Sequence, residues 1–261
     1  MTDVASQRRA FDTPVLTMEQ PERWLQEGWA DLRANLSISL TYGFLFAIGS
    51  IVLVFGLYAM DLGWVILPAA AGFTIVGPLM AMGLYEVSRR RGEGRAITLF
   101  SALIVKPKDP VQVGYMAVLL MIGFMVWIRV AMINFALFFG LVEFPGILDS
   151  ILLLFTGRGI GMLLVGSFLG ALFAIIAFGI TAFSLPAFLV EEQDVITAMV
   201  RSAAVVRYNP KVALRWALMI VVGTGFGFVT GFLGFIVVFP LLGHATWHAY
   251  RDTLAKQTVP T

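Results

Sequence analysis

The sequence predicts an all-α, polytopic membrane protein with six transmembrane helices and amphipathic helices lying at the membrane surface between them. Three observations carry this reading. Hydrophobic residues make up 59% of the 261 positions and charged residues only 13%, against about 25% charged in a soluble domain. Apolar runs of roughly 18 residues or more recur, each long enough to cross a ~30 Å hydrocarbon core as a helix. They do not alternate as barrel strands would. Lys and Arg fall mostly between these runs.

In chain order, residues 1–17 are polar and read as a disordered tail without a cleavable signal peptide, so the first apolar run serves as the insertion signal. Pro21 suits the first turn of a helix. Trp24, Leu25, Gly28, Trp29 and Leu32 then share one face, with Glu22, Arg23, Gln26, Glu27, Asp31 and Arg33 mostly elsewhere. The first crossing is expected at 36–60 and the second at 64–87. The third is expected at 111–141 and the fourth at 158–190. Between these two, 143–157 contains Pro145, Gly146 and Asp149. That stretch is either re-entrant or a loop resting on the outer surface.

A second amphipathic helix is expected over 195–207, where Ile196, Met199, Val200, Ala203 and Val206 recur at helical spacing. The last apolar stretch, 212–250, is long for one helix and tight for two. Gly223, Gly225, Gly227 and Gly231 offer a turn, and a split near Gly225 gives two crossings; otherwise the total is five. Residues 255–261 form a C-terminal tail, which leaves 18–254 as a single transmembrane domain.

Charge sets the orientation. The N-terminus, the 88–110 loop, the 191–211 loop with Arg215, and the C-terminus together hold 16 of the 18 Lys and Arg; only Arg129 and Arg158 remain. The positive-inside rule makes the rich side, with both termini, cytoplasmic. The protein is thereby expected in the bacterial inner membrane, with the lipid bilayer as its first partner. The basic run Arg89-Arg90-Arg91 with Arg95 suits anionic lipid at that surface.

An internal repeat is also visible. Ile97-Thr98-Leu99-Phe100-Ser101 before Pro110 parallels Ile196-Thr197-Ala198-Met199 with Ser202 before Pro210, and Pro78, Pro186 and Pro240 mark the even-numbered crossings. Three copies of one unit are implied, each an interfacial helix followed by a crossing in and a crossing back.

The small net charge of +2 argues against nucleic acid, and the absence of cysteine excludes disulfides and thiolate metal sites. No nucleophile–base pair, Walker motif or dinucleotide fingerprint occurs, so an enzyme is not indicated. His244 and His248 are the only histidines and lie one helical turn apart. With Glu86 at the same expected depth they could hold Zn, Fe or Cu, or one could ligate haem; anchoring of a helix end is the simpler role, and nothing in the sequence requires a cofactor. Arg129 is expected near the outer headgroups, either snorkelling or paired with Glu143 or Asp149 at an outward mouth. Asn134 suits a buried helix–helix hydrogen bond. Gly166–Gly170, Gly223–Gly227 and Gly227–Gly231 have small-xxx-small spacing for close helix packing or partner docking.

Several segments together carry a family resemblance: Gly28-Trp29-Ala30-Asp31-Leu32, Tyr42-Gly43, Tyr85-Glu86-Val87-Ser88-Arg89-Arg90, Ser202 with Asn209, and Gly243-His244-Ala245-Thr246-Trp247-His248-Ala249-Tyr250-Arg251. The sequence resembles, over about residues 20–254, a bacterial family of integral membrane proteins of unknown function. Some members of that family are labelled cytochrome c oxidase subunits. The resemblance therefore implies a link to a respiratory oxidase and brings no catalytic residues. A catalytic haem–copper subunit needs more histidines than the two present. The expected function is then a non-catalytic accessory or assembly component of a larger membrane complex. A small-solute transporter or channel is the alternative from the repeat and Arg129, and a metal or haem protein the alternative from the histidines.

Overall fold

The computed structural model describes residues 13–140 and 152–253, and every regular element among them is helical. These are α1 (Gln20–Ala34), α2 (Leu36–Ala59), α3 (Gly63–Met80), α4 (Met82–Gly92), α5 (Leu99–Leu103), α6 (Pro110–Phe139), α7 (Gly157–Thr181), α8 (Ser184–Ala187), α9 (Val195–Tyr208), α10 (Pro210–Val229) and α11 (Phe235–Thr253). The tail residues 1–12 and 254–261 lie outside the described residues, as do Glu143, Pro145, Gly146 and Asp149.

Four helical stretches are long and apolar enough to cross a membrane: α2, α6, α10 and the run Gly157–Ala187 that joins α7 to α8. The six expected crossings are thus matched by four such stretches among the described residues. The expected second crossing begins as α3, an apolar helix of 18 residues, and the expected sixth corresponds to α11. The expected second crossing divides at Ala81: α3 stops there and α4 carries the chain on through the polar Glu86 and Ser88. The last helix, α11, contains Pro240 and turns polar over its second half.

The final apolar stretch is a helical hairpin, but its turn lies at residues 230–234 rather than near Gly225. Gly231 and Phe232 adopt φ of 62° and 72°, and the Phe232 amide donates to the Gly227 carbonyl at 2.9 Å. Gly223 and Gly227 are inside α10, where they admit α11: a Cβ on Gly227 would lie 2.4 Å from the Phe235 ring. Of this glycine run, Gly231 occupies the left-handed position at the turn, where a side chain would be strained.

The chain divides into two compact units. The first comprises residues 1–50, 78–116 and 178–261 and holds every Lys and Arg except Arg129 and Arg158. Its core is aromatic. Trp24 meets Trp216 edge-on at 5.7 Å, and Phe46 stacks on Phe239 at 3.9 Å. Backbone contact between helices depends on glycine: a Cβ on Gly28 would lie 2.7 Å from the Ala245 amide nitrogen, and one on Gly43 would lie 2.2 Å from the Ile236 carbonyl oxygen. Helix α1 therefore lies directly along α11. It buries Pro21, Trp24, Gly28, Asp31 and Leu32 and leaves Trp29 exposed. The face drawn from apolar residues alone thus misplaces Asp31 and Trp29. Helix α9 buries Val195, Ala198, Ser202 and Val205, so its larger apolar residues Ile196 and Val200 face outward.

The second unit comprises residues 51–77 and 117–177. The Trp127 indole donates to the Pro68 carbonyl at 2.7 Å and packs 5.5 Å from Phe173. A cavity of about 590 Å³ lies among these helices, lined by Trp64, Leu67, Trp127, Phe135 and Met162 among others.

Candidate functional site

The polar residues of the first unit converge on one buried cluster. Its origin is a conflict within α11. The helix is close-packed against α1, α2 and α4, yet it carries two imidazoles one turn apart. Buried polar groups need partners, and three neighbouring helices supply them.

His244 is fully buried. Its Nδ1 lies 2.8 Å from Ser88 Oγ on α4 and its Nε2 lies 2.9 Å from Ser39 Oγ on α2. His248 Nε2 lies 2.8 Å from Asp31 Oδ2, and Arg91 from the end of α4 pairs with Asp31 Oδ1. Glu27 Oε2 is 2.8 Å from His248 Nδ1, off the line that a ring N–H would need. Asp31 thus ties α1 to α11 through His248 and to α4 through Arg91.

Burial alone would raise the Asp31 carboxyl; hydrogen bonds from His248 and Arg91 override it and hold the group below its usual range. Glu86 behaves in the same way. Desolvation raises it, and Arg89 and Arg90 more than compensate. Arg89 grips it in a fork, Nε to Oε2 at 2.7 Å and Nη2 to Oε1 at 2.8 Å, and Arg90 Nε adds a contact at 2.6 Å. Further polar ties surround the cluster. Asp252 receives the Trp24 indole at 3.0 Å. Tyr250 donates to Glu191 at 2.5 Å, and Arg201 pairs with Glu191. The Asn209 amide holds Leu16 N at 3.0 Å and Pro14 O at 3.1 Å, which pins residues that the sequence assigns to the N-terminal tail.

His244 and His248 are brought together on α11, while Glu86 turns to the arginines of its own helix. Among the described residues no group of three His, Asp or Glu is arranged to hold a metal ion. Ser88 and His244 have a nucleophile–base geometry, but both are buried. The nearby cavity of about 520 Å³ is lined instead by Lys108, Val190, Glu191, Glu192, Trp247, Tyr250 and Arg251. The hydrogen bonds of the cluster fasten α11 to α1, α2 and α4. In the second unit, Asn134 Nδ2 donates to the Met162 carbonyl at 3.1 Å, linking α6 to α7. Arg129 is exposed on α6, and Glu143 lies outside the described residues.

The single-residue reading missed Asp31, Ser39 and Ser88 as cluster members. The signal that could have found two of them was in the resemblance, whose quoted segments contain Asp31, Ser88, His244 and His248 together.

Comparison with curated proteins and with solved structures gives no match. Residues 66–191, a little under half of the chain, match the model of the family described as predicted integral membrane protein (DUF2189), which is the integral membrane family of unknown function that the sequence resembles.

Proposed function

We propose that this protein is a non-catalytic accessory or assembly component of a larger complex in the bacterial inner membrane, a respiratory oxidase being the complex that the resemblance favours. One observation carries the reading. The apolar helices hide little of themselves within the chain: over its most apolar stretch α6 is 17% buried, and the run containing α7 is 11% buried. On α7, Leu164, Phe168, Leu172 and Ile175 form one exposed stripe at helical spacing. Such a surface meets either lipid or the helices of another membrane protein.

In this reading the chain crosses the membrane six times, with α3 and α11 as the second and sixth passes and both termini cytoplasmic. The gathering of nearly all Lys and Arg in the first unit supports that orientation. The threefold repeat is supported by the element order. A short helix precedes two longer ones in α1–α2–α3, α5–α6–α7 and α9–α10–α11.

The test is affinity purification from native membranes in mild detergent, with mass spectrometry and a visible spectrum of the same sample. Recovery of defined membrane subunits in fixed stoichiometry, with haem bands if the complex is an oxidase, is expected. A solitary, colourless and stable chain would contradict the reading and turn attention to solute flux in liposomes.

A further inference from the structure

We infer that the cavity of the second unit binds a neutral, ring-bearing molecule dissolved in the membrane, and that Asn134 accepts a hydrogen bond from its hydroxyl group. Such a site is independent of the accessory role proposed above.

The cavity of about 590 Å³ lies among three helices, with Trp64 from α3, Trp127, Asn134 and Phe135 from α6, and Met162 from α7 on its wall. Its volume falls within the roughly 300–1,000 Å³ of ordinary small-molecule sites. Two glycines of α7, Gly166 and Gly170, also line it and keep the space open. A Cβ on Gly166 would lie 2.7 Å from Asn134 Nδ2, and one on Gly170 would lie 3.1 Å from the Trp127 ring. The small-xxx-small pair of α7 therefore makes room for the amide and the indole.

Asn134 is 7% exposed. Its Nδ2 donates to the Met162 carbonyl at 3.1 Å. That carbonyl can only accept, so the amide nitrogen faces it and the orientation of the side chain is fixed. The other end, Oδ1, is buried and has no hydrogen-bond partner among the described residues. Buried acceptors are nearly always paired, because leaving one bare costs free energy.

The wall defines what would pair it. None of the lining residues is charged, so an ionised ligand would lose its hydration without a counter-charge. The aromatic faces of Trp64, Trp127 and Phe135 suit a ring. Oδ1 requires a donor. An acyl chain fills apolar space and leaves the oxygen bare, whereas a neutral hydroxyl satisfies it.

The experiment titrates the purified chain in phospholipid nanodiscs with a ring-fluorinated para-octylphenol, followed by fluorine NMR. The methyl ether of the same phenol and a fluorinated straight-chain alcohol of equal carbon number are compared at matched concentration in the lipid. The expected result is saturable binding of the phenol to wild type, roughly three- to tenfold tighter than the ether and tighter than the alcohol. Asn134→Leu removes the advantage of the phenol over the ether. Ala131→Phe, which fills the cavity and leaves Asn134 in place, abolishes saturable binding of the phenol. Equal binding of phenol and ether to wild type overturns the proposal, as it would mean that Oδ1 is already taken by a donor of the chain or by a held water. An alcohol that binds as tightly as the phenol overturns the assignment of a ring and marks a lipid-like occupant. Phenol binding that is absent from wild type, or unchanged in Ala131→Phe, overturns the site itself. Each of these results leaves the co-purification test of the accessory role untouched.

Discussion

Asp31 Oδ2 lies 2.8 Å from His248 Nε2, joining the first helix to the last across 217 positions of the chain. The same carboxylate takes Arg91 of α4 through its other oxygen. The consequence is that the order of three helices depends on one acidic side chain.

Asp31→Ala is expected to lower stability by about 2–3 kcal/mol, the range for losing hydrogen bonds to a charged group in a buried site. Ser39→Ala removes a single hydroxyl and leaves His244 Nε2 without its partner, at about 1–2 kcal/mol. Unfolding of the purified protein in one detergent, monitored by tryptophan fluorescence, measures both. Equal midpoints for Asp31→Ala and wild type would remove the cluster's role as a fastening.

Acid should loosen the protein in a defined window. The carboxyls of Asp31 and Glu86 are both held below their ordinary values of 3.8 and 4.5. Between the folded and ordinary values the unfolded chain binds more protons than the folded one, so stability rises with pH there. The contribution is complete above the ordinary values and disappears as pH falls through the folded ones. Thermal midpoints are expected to hold down to about pH 5 and to decline below about pH 4, less steeply in Asp31→Asn. An acid limb unaltered in Asp31→Asn would exclude Asp31 as a source of it.

Two glycines test the close packing. A Cβ at Gly28 would meet the backbone of Ala245, whereas Gly49 has open space around it. Gly28→Ala is expected to cost about 1–3 kcal/mol through overpacking. Gly49→Ala should be neutral or favourable by up to about 1 kcal/mol from helix propensity. The same unfolding assay separates them, and similar midpoints for the two variants would contradict the contact between α1 and α11.

The histidine pair offers a sharp contrast between fastening and ligation. Both nitrogens of His244 lie within hydrogen-bond distance of serine hydroxyls. Chelator treatment is therefore expected to leave the thermal midpoint unchanged. Stoichiometric zinc, copper or iron that is lost in His248→Ala would show that these residues ligate a metal.

How far the sequence reached depended on the range of the interaction. The apolar lengths were legible: α2 and α6 begin and end within two residues of the expected crossings, because burial in lipid is written in composition. The glycine run marked a hairpin without marking its turn. Gly223, Gly227 and Gly231 look alike in sequence, and the choice of Gly231 reflects where α11 packs on α10. Glu86 was expected near the histidines from helix depth alone. Arg89 and Arg90, three and four positions further on, lie on the same helical face and reach it first. Asp31 reads as part of a polar face, and its burial is set by α11, which follows it by some 200 residues. Nothing local could announce that contact.

The most direct test of the accessory role is photo-crosslinking in native membranes from a probe placed at Phe168, on the exposed stripe of α7. A crosslink to one defined membrane protein, also obtained from Leu164 and absent from the inward-facing Trp127, is the expected result. Crosslinks to lipid alone from both exposed positions would mean that this face ends at the bilayer and would contradict the docking account.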